Sequence, residues 1–167
     1  MKSPPPFSRA MSYGLYEGSL AEAINQLKFG GIRRLSRYLG DLLLSMDLPE
    51  MDAIVPVPLN VKKLRKRGFN QSLLIARRIA KKKEIALLMD VLSKKKETQP
   101  QTDLPAKERL VNLKGAFEIR GNVRGLKLFL VDDVMTTGTT VRECSMQLMR
   151  AGAKEVVVLI LARAGLM

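Results

Sequence analysis

Histidine and tryptophan are both absent from this 167-residue chain. Without imidazole there is no His general base, His-activated nucleophile or His metal ligand. Cysteine occurs once, at Cys144, which excludes an internal disulfide and any Cys-cluster zinc site. Placed inside an expected helix, that thiol reads as a packed core group. Aromatics are only 5% of the residues, a poor supply for the base-stacking platforms of single-strand binders. No apolar run approaches the ~20 residues of a membrane span. The first residues, Met1 to Phe7, hold three consecutive prolines and no apolar stretch of secretory type. A reducing cytoplasm is the expected setting.

Acids are scarce as well, 16 against 29 bases, for a net charge of +13. The imbalance is concentrated between Lys62 and Lys96, where thirteen Lys and Arg face only Glu84 and Asp90. Such asymmetry favours a polyanion, either a pyrophosphate group or single-stranded DNA along the basic 62–96 region. Lys81 to Lys83 on their own also fit a solvated helix face. With 46% apolar residues the chain is long enough for one packed domain.

The most informative stretch runs from Leu128 to Thr140. Leu128 to Val131 reads as a buried strand, with Asp132 and Asp133 at its carboxyl end. Met135, Thr136, Thr137, Gly138, Thr139 and Thr140 then form a small, hydroxyl-rich loop before a helix at Val141–Ala151. Ligands of open parallel sheets sit beyond the carboxyl ends of strands, and a helix N-terminus offers unpaired N–H groups to an anion. Two acids before that cradle suit the hydroxyls of a sugar whose phosphate occupies it. The simpler alternative is a turn whose acids and threonines cap the following helix.

The remaining pattern supports an α/β chain with a mostly parallel central sheet flanked by helices. Residues 1–12 read as a flexible Pro-rich leader. Helices are expected around Leu20–Phe29, Ile32–Met46 and Asn70–Lys83, the last with Asn70 as its cap after a tight turn at Gly68. Short strands are expected at 52–58, 87–92 and 155–161. A long polar stretch, 93–109, carries two prolines and reads as a loop. A second strand-end loop, Val57, Pro58, Leu59, Asn60 to Lys62, precedes a run of cations that includes Arg65 and Arg67.

The Leu128–Thr140 segment resembles the 5-phosphoribosyl-1-pyrophosphate (PRPP) motif of type I phosphoribosyltransferases. Several stretches occur in order: Lys28-Phe29, Val55 to Pro58, Arg65 to Gln71 with its Arg-Gly-Phe-Asn-Gln core, Thr98 to Gln101, Glu108-Arg109 and Asn112 to Phe117. Together they resemble the ComF family, competence-associated proteins with a phosphoribosyltransferase-like domain. The resemblance covers about residues 13 to 163. It implies a type I phosphoribosyltransferase fold, with a small helical hood at 13–50 and a core at 51–167. It also implies PRPP as substrate or ligand, together with Mg2+. Asp132 and Asp133 would hold the ribose hydroxyls and residues 135–140 the 5′-phosphate. Val57, Pro58, Leu59, Asn60, Lys62, Arg65 and Arg67 would take the pyrophosphate. Lys96, Thr98, Gln101 and Arg109 would belong to a flexible loop closing over the site. No direct protein ligand set for the metal is implied beyond Asp132 and Asp133.

Members of that family commonly carry an N-terminal four-cysteine zinc module, and this chain, with Cys144 alone, is expected to lack it. Three functional readings stay open at this stage: a PRPP-dependent transferase of unidentified acceptor, a nucleic-acid-binding competence component, and a PRPP sensor without turnover. Competence-machinery proteins and a second copy of the chain are the partners these readings suggest.

Overall fold

The computed structural model describes residues 4–95 and 115–165. Five parallel strands form the central sheet: β1 (Arg9–Leu15), β2 (Ala53–Pro56), β3 (Ala86–Leu87), β6 (Lys127–Met135) and β7 (Glu155–Arg163). Their order is β1-β7-β6-β2-β3. A separate antiparallel pair joins β4 (Leu92–Lys94) to β5 (Phe117–Ile119). The helices are α1 (Gly18–Lys28), α2 (Leu35–Leu44), α3 (Val61–Arg67), α4 (Gln71–Lys83) and α5 (Thr139–Arg150).

Strands β6 and β7 read as unbroken apolar runs because both faces of this parallel sheet are covered. Alternate residues therefore feed two cores. Leu128, Leu130, Val156 and Val158 pack with Cys144 and Leu148 of α5. Phe129, Val131, Val157 and Leu159 pack with Ile24, Leu27, Leu39, Leu43, Ile75 and Ile79 from α1, α2 and α4. The N-terminal helices thus share one layer with α4. Phe129 is fully buried at the middle of that layer, and truncation to Ala there would cost about 3–5 kcal/mol.

Residues 9–12, expected in a flexible leader, belong instead to β1. Arg9 to Ser12 pair in register with Val157 to Ile160, and Ser8 N donates to Val156 O at 2.9 Å. The reason is the sheet itself: without β1, the open side of β7 would leave a row of backbone groups unpaired. The 87–92 segment is likewise no single strand. Ala86–Leu87 ends the parallel sheet, and Leu92 begins the β4–β5 pair. Ser93 and Lys94, expected in the mobile loop, lie in β4.

Candidate functional site

The acid pair lies inside β6, because pairing with β7 continues from Asp132 opposite Ile160 to Met135 opposite Arg163. The strand therefore outlasts its apolar stretch, and Met135 is its last residue rather than the first of the loop. The strand-end loop is reduced to Thr136, Thr137 and Gly138, before Thr139 and Thr140 open α5. Gly138 sits at φ +76° as the cap of α5. That left-handed turn favours glycine, because a side chain there is strained. No side chain caps this helix end. Thr137 Oγ1 and Thr139 Oγ1 are 2.8 Å apart, so the two hydroxyls close the loop across Gly138.

Asp132 accepts two hydrogen bonds on Oδ1, from Ser72 Oγ at 3.0 Å and from the Asp133 backbone N–H at 2.9 Å. Ser72 is placed by Asn70, whose Oδ1 accepts from Ser72 N at 3.0 Å and whose Nδ2 donates to Val57 O at 3.0 Å. One asparagine thus caps α4, anchors the β2 end and presents the serine to the acid. Gly68, at φ +80°, supplies the turn that precedes it.

Asp133 is almost entirely buried, and its Oδ1 accepts from Val134 N at 2.6 Å. Its Oδ2 has no hydrogen-bond donor aligned on it but stands 2.9 Å from Lys28 Nζ, an ion pair. Lys28 closes α1 four residues after the buried Ile24, so docking that apolar face carries the lysine to the sheet edge. Arg67 adds a second cation nearby. It hydrogen-bonds Gln71 Oε1 and lies 5.4 Å over the Phe29 ring. Partial burial lowers the pKa of Arg67, opposed by the charge of Asp133.

Burial, and then the negative charge of Asp133, push the Asp132 carboxyl up to about 7. The Asp133 N–H, the Lys28 ammonium and the Ser72 hydroxyl oppose that rise. On the α5 side, burial and the same acid raise the Cys144 thiol well above its ordinary range.

The second strand-end loop is shorter than expected. Val57 is buried and its N–H still bonds Val131 O at 2.9 Å, so it extends β2. Asn60 caps α3 by accepting from Lys62 N at 2.8 Å, which puts Lys62 in that helix rather than in the loop. Pro58, Leu59 and Asn60 remain as the connection. Lys62 and Arg65 are exposed on α3, whereas Arg67 turns toward Gln71. Lys96, Thr98, Gln101 and Arg109 lie outside the described residues.

Among the described residues of the basic run, several cations are already engaged. Arg78 is bound to Asp41, Lys95 pairs with Glu118, and Lys94 lies 5.6 Å over Phe117. Sequence reasoning gave no role to Lys28, Ser72 or Arg33, although Lys28-Phe29 belonged to the motif set. Spacing alone offered one usable signal, the Ile24–Lys28 interval on an apolar helix face.

Residues 70–166 match the phosphoribosyl transferase domain family. The chain is 37% identical to the DNA utilization protein YhgH of Salmonella typhi, over 98% of this chain and 75% of that protein. The chain belongs to the ComF family. Its similarity to competence protein F of Haemophilus influenzae, 33% identical, again spans 98% of this chain and 76% of the relative. The fold of this ComF-family chain also matches the glutamine PRPP amidotransferase of B. subtilis, with a TM-score of 0.53 and 26% identity. That match covers 75% of this chain and 25% of the amidotransferase. Among the described residues of the ComF-family chain, no helix is long and apolar enough to cross a membrane.

Proposed function

We propose that this chain binds PRPP with Mg2+ and acts on it as a phosphoribosyltransferase. The observation that carries the reading is the adjacency of two carboxylates, Asp132 and Asp133, to the Gly138 turn at the start of α5. The 5′-phosphate would lie on the N–H groups and hydroxyls of Thr136 to Thr140. The ribose hydroxyls would be held by Asp132 and Asp133. Pyrophosphate would lie toward Pro58, Leu59 and Asn60, with Arg67 as the nearest half-buried cation and Lys62 and Arg65 at the rim.

Among the described residues, no group of three or more His, Cys, Asp or Glu forms a metal cage. Magnesium is commonly held by one or two carboxylates together with substrate phosphates, and the acid pair fits that use. When bound, it would supply charge compensation to the pyrophosphate. The protein's part is orientation and electrostatics: Ser72 and Lys28 fix the acids, and the α5 amides fix the phosphate. No covalent nucleophile is required. Asp132, with a pKa near neutrality, is the side chain suited to accept a proton from an incoming acceptor.

Calorimetric titration with PRPP and Mg2+ tests this reading. Saturable binding is expected, and it should be abolished by Asp132→Ala with Asp133→Ala in a variant that keeps its fold. Unchanged affinity in that variant would sink the proposal. A second reading concerns nucleic acid, to which a chain of net charge +13 is attracted without sequence preference. The relatives' name, DNA utilization protein, agrees with it.

A further inference from the structure

A second cluster of cations lies away from the acid pair, in a groove of about 650 Å³ between α2 and α4. Arg33, Arg34 and Arg37 line it from the α2 side, and Arg77, Arg78 and Lys81 from α4. Among the described residues, Arg78 alone is neutralised there, through bonds of 2.8 and 2.9 Å to the two carboxylate oxygens of Asp41. Arg34, Arg37, Arg77 and Lys81 make no ion pair among the described residues. On α4, Arg77 and Arg78 stand four and three residues before Lys81, so like charges adjoin on one helix face, an arrangement that opposes helix stability. Arg33 and Arg34 lie in the turn leading into α2, beside Arg37. Such crowding around a concave surface is relieved by an anion.

We infer that the groove binds the phosphodiester backbone of a single-stranded nucleic acid; this rests on the second reading above and gives it a site. From Leu74 to Lys81 the α4 wall runs about 10 Å at ~1.5 Å per residue. A duplex is read by an element that projects into its groove, whereas this surface is a cleft between two helices. Arginines suit the task because their planar forks pair with phosphate oxygens in bidentate fashion.

The groove also has a structural link to the acid pair. Arg33 donates to Gly68 O at 3.4 Å and lies 4.9 Å over the Phe69 ring. Phe69 leads into Asn70, which caps the helix whose Ser72 holds Asp132. Arg33 is therefore tied to the Gly-Phe-Asn turn, while Arg34, Arg37 and Arg77 remain for a ligand.

The test is binding of oligo-dT and oligo-U, each at several salt concentrations, to the full chain and to Arg34→Ala/Arg37→Ala/Arg77→Ala. Each neutralised phosphate contributes about 0.7 to the slope of log affinity against log salt for a single strand. The triple variant should lose about 2 units of slope with either oligomer, while its PRPP titration stays as in the parent. Lys63→Ala/Lys66→Ala, on the exposed face of α3, should change the slope by less than one unit. A wild-type slope in the triple variant overturns the inference, as does tighter binding of a duplex with the same three-residue dependence. Because PRPP binding is read separately, failure of the groove and failure of the acid-pair reading give different results.

Discussion

Replacing Asp132 by Asn should make the protein's stability less sensitive to pH between 5 and 8. In the folded chain this carboxyl has a pKa of about 7, against an ordinary value of 3.8. Its folded pKa is thus raised, so its contribution to stability is complete below about pH 4 and is lost as pH rises toward 7. Between pH 5 and 7 the full effect of an isolated group would be about 2.7 kcal/mol, at 1.36 kcal/mol per unit. Part of the rise belongs to the charge of Asp133, which salt screens, so about 1–2 kcal/mol is the expected difference. Asn retains the oxygen that accepts from Ser72 Oγ and the Asp133 N–H, which keeps the geometry. The window is otherwise quiet because the chain has no histidine. Urea unfolding of both proteins at pH 5, 6, 7 and 8 provides the measurement. Wild type should lose 1–2 kcal/mol relative to Asp132→Asn across that range. Parallel profiles would refute the raised pKa.

Lys28→Met leaves the buried Asp133 carboxylate without its nearest cation and should cost about 2–3 kcal/mol at pH 7. Adding Asp133→Asn should restore most of that loss in the same urea assay, since the charge and its partner then leave together. Gly138→Ala should cost about 1 kcal/mol by chemical denaturation through its positive φ, because the added Cβ meets Met135 Sδ only at 3.4 Å. Cys144, fully buried with its pKa raised, should resist thiol reagents at pH 8 in the native chain and react once urea unfolds it. Rapid native labelling would show that α5 opens readily from the sheet.

The parts of the fold that were legible in the sequence are those where one local pattern met one environment. Leu128 to Val131 could be read as a doubly buried strand because parallel pairing demands apolar residues on both faces. Asn70 could be read as a cap because its side chain competes for the N–H two residues ahead, and Ser72 N supplies that bond. Strand β1 was not legible for the opposite reason. Arg9 to Leu15 lies at the sheet's edge with no residue fully buried, so its pairing with β7 is decided by a partner some 150 residues away. The β6 end had the same difficulty. Asp132 and Asp133 have low strand propensity, yet Ile160 and Ala162 hold the register past them.

The acid pair could be named from sequence, but its surroundings could not. Two adjacent aspartates predict strong repulsion and a sugar-binding edge; they do not say which cation comes to meet them. That cation is Lys28, which reaches Oδ2 of Asp133 from a helix more than a hundred residues earlier in the chain. Burial and the charge of Asp133 raise the Asp132 pKa, and the Lys28 ammonium opposes that rise. The same long-range placement separates the cations. Arg67 and Arg77 belong to one basic run, yet Arg67 turns to Gln71 beside the acids while Arg77 joins arginines from α2. Composition predicted one basic region, whereas helix packing sends these two arginines to different neighbours. Neutralising Arg77 should therefore leave the Asp132 titration unchanged, whereas removing Lys28 should raise the Asp132 pKa further, because the ammonium that favours its charged form would be gone.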